Sequence, residues 1–279
     1  MKNRYGNVVL ITGASSGIGK AIAEALMKNG LKVYGTSRKP GGNAGQSDPN
    51  ASQNGGFLKM VQLDVCSEES VKKAVDEVIA QEGRIDILIN NAGFGLAGAV
   101  EDTSPEEAYK QLNTNFLGAL RMYRAVLPVM RKQKKGLIIN ISSVMGFISI
   151  PYQSMYSASK YALESMSEVL RMEVKPFGIK VVLIEPGDIH TGLTENREFV
   201  AACKNNSVYK EQCDKAIDSM AKSEMNGPPP TIVVKDIFRI LKKRNPPIRV
   251  VVGFSYKLVA FLKRILPSRW VEFIVTKLY

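Results

Sequence analysis

The chain has 279 residues, 45% of them apolar, and a formal net charge of +12. That length and composition supply a sizeable core, so a globular protein is expected rather than a disordered one. Three cysteines, Cys66, Cys203 and Cys213, with no CxxC spacing, exclude a disulfide framework or a zinc site, so no metal is expected and a reducing cytoplasmic setting fits best.

The short apolar run VVLI near the start lacks the length and cleavage site of a secretory signal. No apolar stretch approaches the ~20 residues that span a bilayer. The positive charge is uneven: residues 235 to 279 carry 11 Lys and Arg against 2 Asp and Glu, a net +9. No nucleic-acid docking motif accompanies it, so no nucleic-acid partner is expected.

NVVLIT at 7 to 12 reads as a buried strand, and the helical pattern from Ile18 ends at Asn29-Gly30, a stop signal. Strands KVYGTS and FLKMVQLDV follow, then a helix over 67 to 82, strand DILIN, one long helix over about 105 to 131 and strand GLIINIS. A helix over about 152 to 175, strand KVVLIE, an excursion over 187 to 230, a helix over about 231 to 244 and strand IRVVV complete the pattern. Continuously apolar strands alternating with helices predict an α/β fold, a doubly wound, Rossmann-like parallel sheet in a single domain over 1 to 253. Residues 40 to 56, PGGNAGQSDPNASQNGG, read as a loop. Residues 254 to 279 read as a basic amphipathic extension interrupted at Pro267.

The turn TGASSGIG at 12 to 19 joins the first strand to the first helix. Glycines there permit a tight turn and close backbone approach, and a helix N-terminus offers free N–H groups to a pyrophosphate. The second strand ends in TSRK without a carboxylate to accept bonds from a ribose 2′-hydroxyl. Arg38 stands there instead, and a guanidinium matches a 2′-phosphate in charge and geometry, which favours NADP(H).

Tyr156 and Lys160 in YSASK share one helix face, as i and i+4 positions do. With ten tyrosines in a Lys-rich chain, one such pair is expected by chance; Ser143, Asn115 and the glycine turn in the right order give it meaning. A hydrolase is disfavoured, because His190 is the only histidine and no GxSxG elbow is present.

TGASSGIG, NNAG at 90 to 93, Asn115 in NTNFLG, Ser143 in NISS, YSASK and PGDIHT at 186 to 191 together resemble the short-chain dehydrogenase/reductase family over about residues 7 to 195. The resemblance implies an oxidoreductase with Asn115, Ser143, Tyr156 and Lys160 as catalytic residues. It implies cofactor contacts from Gly13, Ser15, Ser16, Gly17, Ile18 and Gly19, from Ser37 and Arg38, and from Asp64 and Val65. Asn91, Ala92 and Gly93, then Pro186, Gly187, Ile189 and Thr191, complete that set with Tyr156 and Lys160. Asp64 would face the adenine, Asn90 and Gly93 would border the adenosine half, and 186 to 191 would hold the nicotinamide end. Tyr156 would be the acid in reduction and the base in oxidation, its phenolate favoured by the Lys160 ammonium and an oxidised nicotinamide. Ser143 would hydrogen-bond the substrate oxygen, and Asn115 would place a water or steady the lysine side of a proton relay.

Within the family, NNAGFGLAGAVEDTS and YSASKYALESMSEVLRMEVKPFGIKVVLIEPG look most like the 17β-hydroxysteroid and retinol dehydrogenase branch. That implies a hydrophobic small-molecule carbonyl or alcohol of steroid or retinoid type, with Phe94, Leu96, Met145, Phe147, Ile148 and Tyr152 as candidate pocket residues. The alternatives are a lipid keto-group reductase acting on a 3-keto sphingoid base, and a non-catalytic NADPH sensor. Family relatives assemble through their long helices, which implies a homodimer or homotetramer. The 254 to 279 segment has three readings: peripheral contact with an anionic membrane through Phe254, Leu258, Phe261, Leu262 and Ile265, cover over the substrate, or packing on another subunit.

Overall fold

The computed structural model describes residues 3–39, 55–192, 194, 197–204 and 207–279. The loop expected over 40 to 56 therefore lies almost wholly outside the described residues. In chain order the elements are β1 (Val8–Ile11), α1 (Gly17–Lys28), β2 (Lys32–Ser37), β3 (Phe57–Gln62), α2 (Glu68–Glu82), β4 (Ile87–Asn90) and β5 (Leu96–Ala97). Then come α3 (Pro105–Leu112), α4 (Gly118–Gln133), β6 (Gly136–Ile141), α5 (Ser154–Glu173), β7 (Ile179–Glu185) and β8 (Glu198–Phe199). The chain closes with α6 (Lys210–Met225), α7 (Thr231–Lys242), β9 (Arg249–Val251), α8 (Phe254–Ile265) and α9 (Ser268–Leu278).

Seven parallel strands form one sheet in the order β3-β2-β1-β4-β6-β7-β9. Successive strand residues point to opposite faces, and the two cores divide accordingly. Val9 and Ile11 of β1, Ile87 and Ile89 of β4 and Val182 and Ile184 of β7 pack with Ile22 and Leu26 of α1 and Ile237 of α7. Val8, Leu10, Leu88 and Val181 face the other way, onto α2, α4 and α5. Both faces are buried, which is why these strands read as unbroken apolar runs. Each such Ile or Leu contributes about 1.5–3 kcal/mol on burial.

Local signals set the helix ends. The Ser67 hydroxyl caps α2 by accepting from the Ser70 N–H, and Gly83 closes that helix at φ 68°. Ser104 and Glu107 form a reciprocal capping box at the start of α3, with Pro105 in the first turn.

Three features depart from the sequence reading. The single helix expected over 105 to 131 is interrupted by a π-helical turn at Asn113–Leu117, which carries Asn115. Helical periodicity runs through such a turn almost unaltered, so the pattern does not betray it. The excursion over 187 to 230 contains α6, whose Cys213, Ile217 and neighbouring Cys203 form a third small core with Leu96 and Val200. Here β5 and β8 pair as a separate two-stranded sheet, too short to be read from periodicity.

Candidate active site

The order of strands reverses at β1 and β4, and the loops at the carboxyl ends of those strands open the crevice where doubly wound sheets bind ligands. The glycine turn follows β1, NNAG follows β4, Ser143 follows β6 and residues 186 to 191 follow β7. Gly13 and Gly17 take φ values of 67° and 54°, in the left-handed region that favours glycine. A Cβ on Gly19 would collide with the Gly13 carbonyl and the Asn91 amide, so helix and turn approach as only glycine allows.

Asn91 braces this turn from behind: its Nδ2 donates to the carbonyls of Thr12 at 3.0 Å and Gly13 at 2.9 Å. The Thr12 hydroxyl accepts from the backbone N–H groups of Asn91 and Ala92. Ser15 and Ser16 are exposed, and Ser16 caps α1 with no side-chain hydrogen bond, leaving the first-turn N–H groups open to an anion. Arg38 is exposed at the end of β2, beside Ser37, whose hydroxyl accepts from Lys39 N–H. The turn, the uncapped helix and the exposed guanidinium fit a dinucleotide phosphate chain, with Arg38 available to an added 2′-phosphate.

The remaining expected contacts follow the same strands or pack near them. The Asp64 carboxylate accepts from the Cys66 N–H at 2.9 Å, a local turn, while Ser67 caps the helix. Val65 is buried in the core, against Gly118. Asn90 is buried and donates to Asn140, which donates to Ser167. Ile189 is 6% exposed and packs in the core that includes Ile11 and Val233. Gly187 is covered by the ring of Tyr256, while Gly93 is exposed beside Asn115.

The catalytic candidates converge. Lys160 is 5% exposed on α5, its Nζ donating to the Ile141 carbonyl at 3.0 Å and standing 5.5 Å from the Tyr156 ring centroid. Burial lowers its pKa to about 8 against a smaller opposing pull from Glu164. Ser143, buried at the end of β6, hydrogen-bonds the Tyr156 phenol. In the chain without its cofactor, burial pushes the phenol pKa up to about 12, outweighing the Ser143 hydrogen bond that favours the phenolate. Desolvation of the charged form is the larger effect. A phenol so held keeps its proton at neutral pH, as a general acid requires.

Asn115 spends its side chain on structure. Its Nδ2 donates to the Phe94 carbonyl at 3.0 Å and to the Ser159 hydroxyl at 3.1 Å, and its Oδ1 accepts from Phe94 N–H. A cavity of about 10 Å³ separates Asn115 from Lys160, bounded also by Thr12, Asn90 and Ile141. That is about the room a single water needs.

A second cavity, of about 70 Å³, opens beside Ser143 and Tyr156. Of the six apolar residues expected to line it, only Met145 does; Leu96 lies in the third core, with Phe94 and Tyr152 packed against it. Its other walls mix the apolar Val144, Ile150 and Met220 with the polar Gln153, Asp188, Arg197, Glu224, Tyr256 and Tyr279. No motif marks these residues, since they come from five separate segments that only folding brings together. The helices α8 and α9 bring Tyr256 and Tyr279 to the cavity while burying no residue of their own. Among the described residues no helix is long and apolar enough to cross a membrane, and no cluster of three or more His, Cys, Asp or Glu suits a metal.

The chain is 44% identical over 273 residues to 3-ketodihydrosphingosine reductase of Bacteroides thetaiotaomicron, covering 98% of this chain and 97% of that protein. Human retinol dehydrogenase 8 is 34% identical, covering 92% of this chain and 85% of that protein. The expected retinol-type branch is thus a more distant likeness than the keto-lipid reductase. A short-chain dehydrogenase/reductase of Burkholderia phymatum in complex with NAD superposes with a TM-score of 0.81 at 25% identity over 94% of each chain. ElxO with NADP bound superposes with a TM-score of 0.72 at 28% identity, covering 90% of this chain and 99% of that one. The family described as short chain dehydrogenase matches residues 7–199. With the glycine turn, Ser143, Tyr156 and Lys160 assembled at the switch point of the sheet, the chain belongs to the short-chain dehydrogenase/reductase family of NAD(P)-dependent oxidoreductases acting on CH–OH groups.

Proposed function

We propose that the protein is an NADPH-dependent reductase of a long-chain lipid ketone, with a 3-keto sphingoid base as substrate. The observation that carries this reading is a cavity beside the Ser143 and Tyr156 hydroxyls that sets charged and polar groups, Gln153, Asp188, Arg197 and Glu224, beside apolar Ile150 and Met220, in a chain 44% identical along its length to a 3-ketodihydrosphingosine reductase. The steroid or retinoid reading is the weaker one, because such ligands offer few partners to these walls.

NADPH, when bound, supplies the hydride to the carbonyl carbon. The chain's residues do the rest. Ser143 and Tyr156 hold the carbonyl oxygen, and Tyr156 gives its phenolic proton to that oxygen as the C–H bond forms, leaving an alcohol. Lys160, charged below about pH 8, stabilises the resulting phenolate and orients the nicotinamide ribose. Reprotonation passes by way of Lys160 and a water in the cavity beside Asn115. Arg38 holds the 2′-phosphate, and Asp64, Gly93 and Thr191 border the cofactor.

Two surfaces carry the remaining expectations. The helices α8 and α9 expose Phe254, Leu258, Phe261, Ile265, Trp270 and Phe273 among basic Lys257, Lys263, Arg264 and Arg269. We read this face as a peripheral contact with an anionic membrane, from which a lipid ketone is drawn. Leu120 of α4 and Tyr161, Val169 and Met172 of α5 are exposed together on the long helices, and we assign them to a homodimer or homotetramer contact.

The direct test follows NADPH absorbance with purified protein and detergent-dispersed 3-ketosphinganine, retinal and a 17-ketosteroid. NADPH oxidation with the amino ketone alone, giving sphinganine, is the expected result. Reduction of the steroid or retinal in its place would sink the assignment.

A further inference from the structure

The cavity beside Ser143 and Tyr156 is lined by these two reacting hydroxyls and also by Gln153, Asp188, Arg197 and Glu224, none of which the chemistry above uses. We propose that these four residues form a head-group subsite that receives the ammonium and terminal hydroxyl of a 2-amino-3-ketone next to its reacting carbonyl. This inference rests on the reading of the substrate as a sphingoid ketone and names the residues that would select it.

The four groups are built in. Tyr152 has φ 61°, a conformation costly to a residue with a side chain. The next residue, Gln153, is 2% exposed, and its Nε2 has no hydrogen-bond partner. Arg197 is 4% exposed at its side chain, and its Nε is likewise buried without a partner. A Cβ built on Gly95 would lie 3.9 Å from Arg197 Nε, 3.9 Å from Gln153 Oε1 and 4.0 Å from the Tyr156 ring. Amide, guanidinium and catalytic ring therefore border one small space.

Each buried donor without an acceptor keeps the cost of its lost hydration, which is greater for the charged one. A steroid or retinoid ketone would leave both unmet beyond its single oxygen. A hydroxyl two carbons from the reacting carbonyl offers them an acceptor.

Charge decides which group takes the amine. Arg197 Nη2 meets Glu224 Oε1 at 2.6 Å, so those two neutralise each other; Thr194 donates to the other Glu224 oxygen. Asp188 has no cation paired with it among the described residues, and its hydrogen-bond partner is the neutral hydroxyl of Tyr256. Burial raises the Asp188 carboxyl above its ordinary range, against smaller opposing effects of the Tyr256 hydrogen bond and Arg197. One uncompensated carboxylate in a partly desolvated pocket is a site for one cation. Lys160 does not serve, being turned to the Ile141 carbonyl. The cavity of about 70 Å³ admits only the head, far less than the ~300–1,000 Å³ of pockets that enclose a whole ligand. The alkyl chain then leaves past Ile150 and Met220.

The test separates binding from turnover. Calorimetry with the NADPH-loaded protein compares two soluble eight-carbon probes, 2-aminooctane-1,3-diol and octane-1,3-diol. The wild type should bind the amine about 10- to 100-fold more tightly, the worth of a charge-assisted hydrogen bond. Asp188→Asn should remove most of that preference, and Asp188→Glu should restore part of it. Because the readout is a ratio of two ligands on one protein, partial loss of folded protein does not imitate it. Equal binding of both probes by the wild type, or an unchanged preference in Asp188→Asn, overturns the subsite. Turnover addresses the parent reading independently: reduction of a des-amino ketone with no reduction of 3-ketosphinganine would sink the substrate assignment, whatever the calorimetry gives.

Discussion

The Nζ of Lys160 stands 5.5 Å from the ring centroid of Tyr156 and is held there by the Ile141 carbonyl at 3.0 Å. Both groups sit in a pocket that penalises charge, so the phenol is pushed up to about 12 and the ammonium down to about 8. A proton on the tyrosine and a titrating lysine are therefore the resting condition near neutral pH.

Loss of the phenol should be severe. Tyr156→Phe is expected to lower kcat for carbonyl reduction by about 10²–10⁴-fold, the usual contribution of a positioned acid. NADPH affinity, read by fluorescence titration, should change little. A variant that keeps wild-type turnover would remove Tyr156 from the mechanism.

The pH profile should report Lys160. Its charged form prevails below about pH 8, so reduction should fall as pH rises through that value while the phenol is still protonated. In Lys160→Met the overall rate should drop and the limb near pH 8 should vanish. Persistence of the same limb would assign it to another group.

Coenzyme choice should follow Arg38, exposed at the end of β2 with no carboxylate paired to it among the described residues. Arg38→Ala should weaken NADPH by about 10-fold or more, as loss of a charge-assisted contact implies, and leave NADH nearly unaffected. Equal losses would contradict the 2′-phosphate assignment.

Stability should depend on Arg249. Its guanidinium meets Glu164 at 3.0 Å and Glu185 at 3.1 Å, and a second nitrogen meets Glu168 at 2.5 Å. Burial raises both Glu164 and Glu185, and the charge of Glu164 raises Glu185 further. Carboxyls with raised native pKa values bind more protons folded than unfolded, so their contribution to stability falls as pH rises past the ordinary carboxylate range. Arg249→Met should destabilise by about 3–5 kcal/mol at neutral pH, leaving uncompensated buried charge, and less at pH 5. Urea melts at the two pH values would show it, and a pH-independent loss would refute the charge argument.

The C-terminal face should govern membrane partition. Replacing Phe261 and Trp270, 60% and 62% exposed, by Ser should reduce sedimentation with phosphatidylglycerol vesicles, as should high salt. Unchanged partitioning would exclude a bilayer contact through α8 and α9.

The sequence by itself determined the alternating strands and helices, the glycine turn and the order of Asn115, Ser143, Tyr156 and Lys160, because each rests on local period or fixed spacing. It also placed the break at Pro267, which divides α8 from α9, since proline cannot continue the preceding helix. Only the tertiary structure decided that Asn115 stands in a π turn bonded to Phe94 and Ser159, that Ile189 packs in the core, and that burial outweighs the Ser143 hydrogen bond at Tyr156. Desolvation and packing depend on what closes over a residue from elsewhere in the chain. Gln153, Asp188, Arg197, Glu224 and Tyr256 carry no spacing that links them, because loop closure across the carboxyl end of the sheet makes them neighbours.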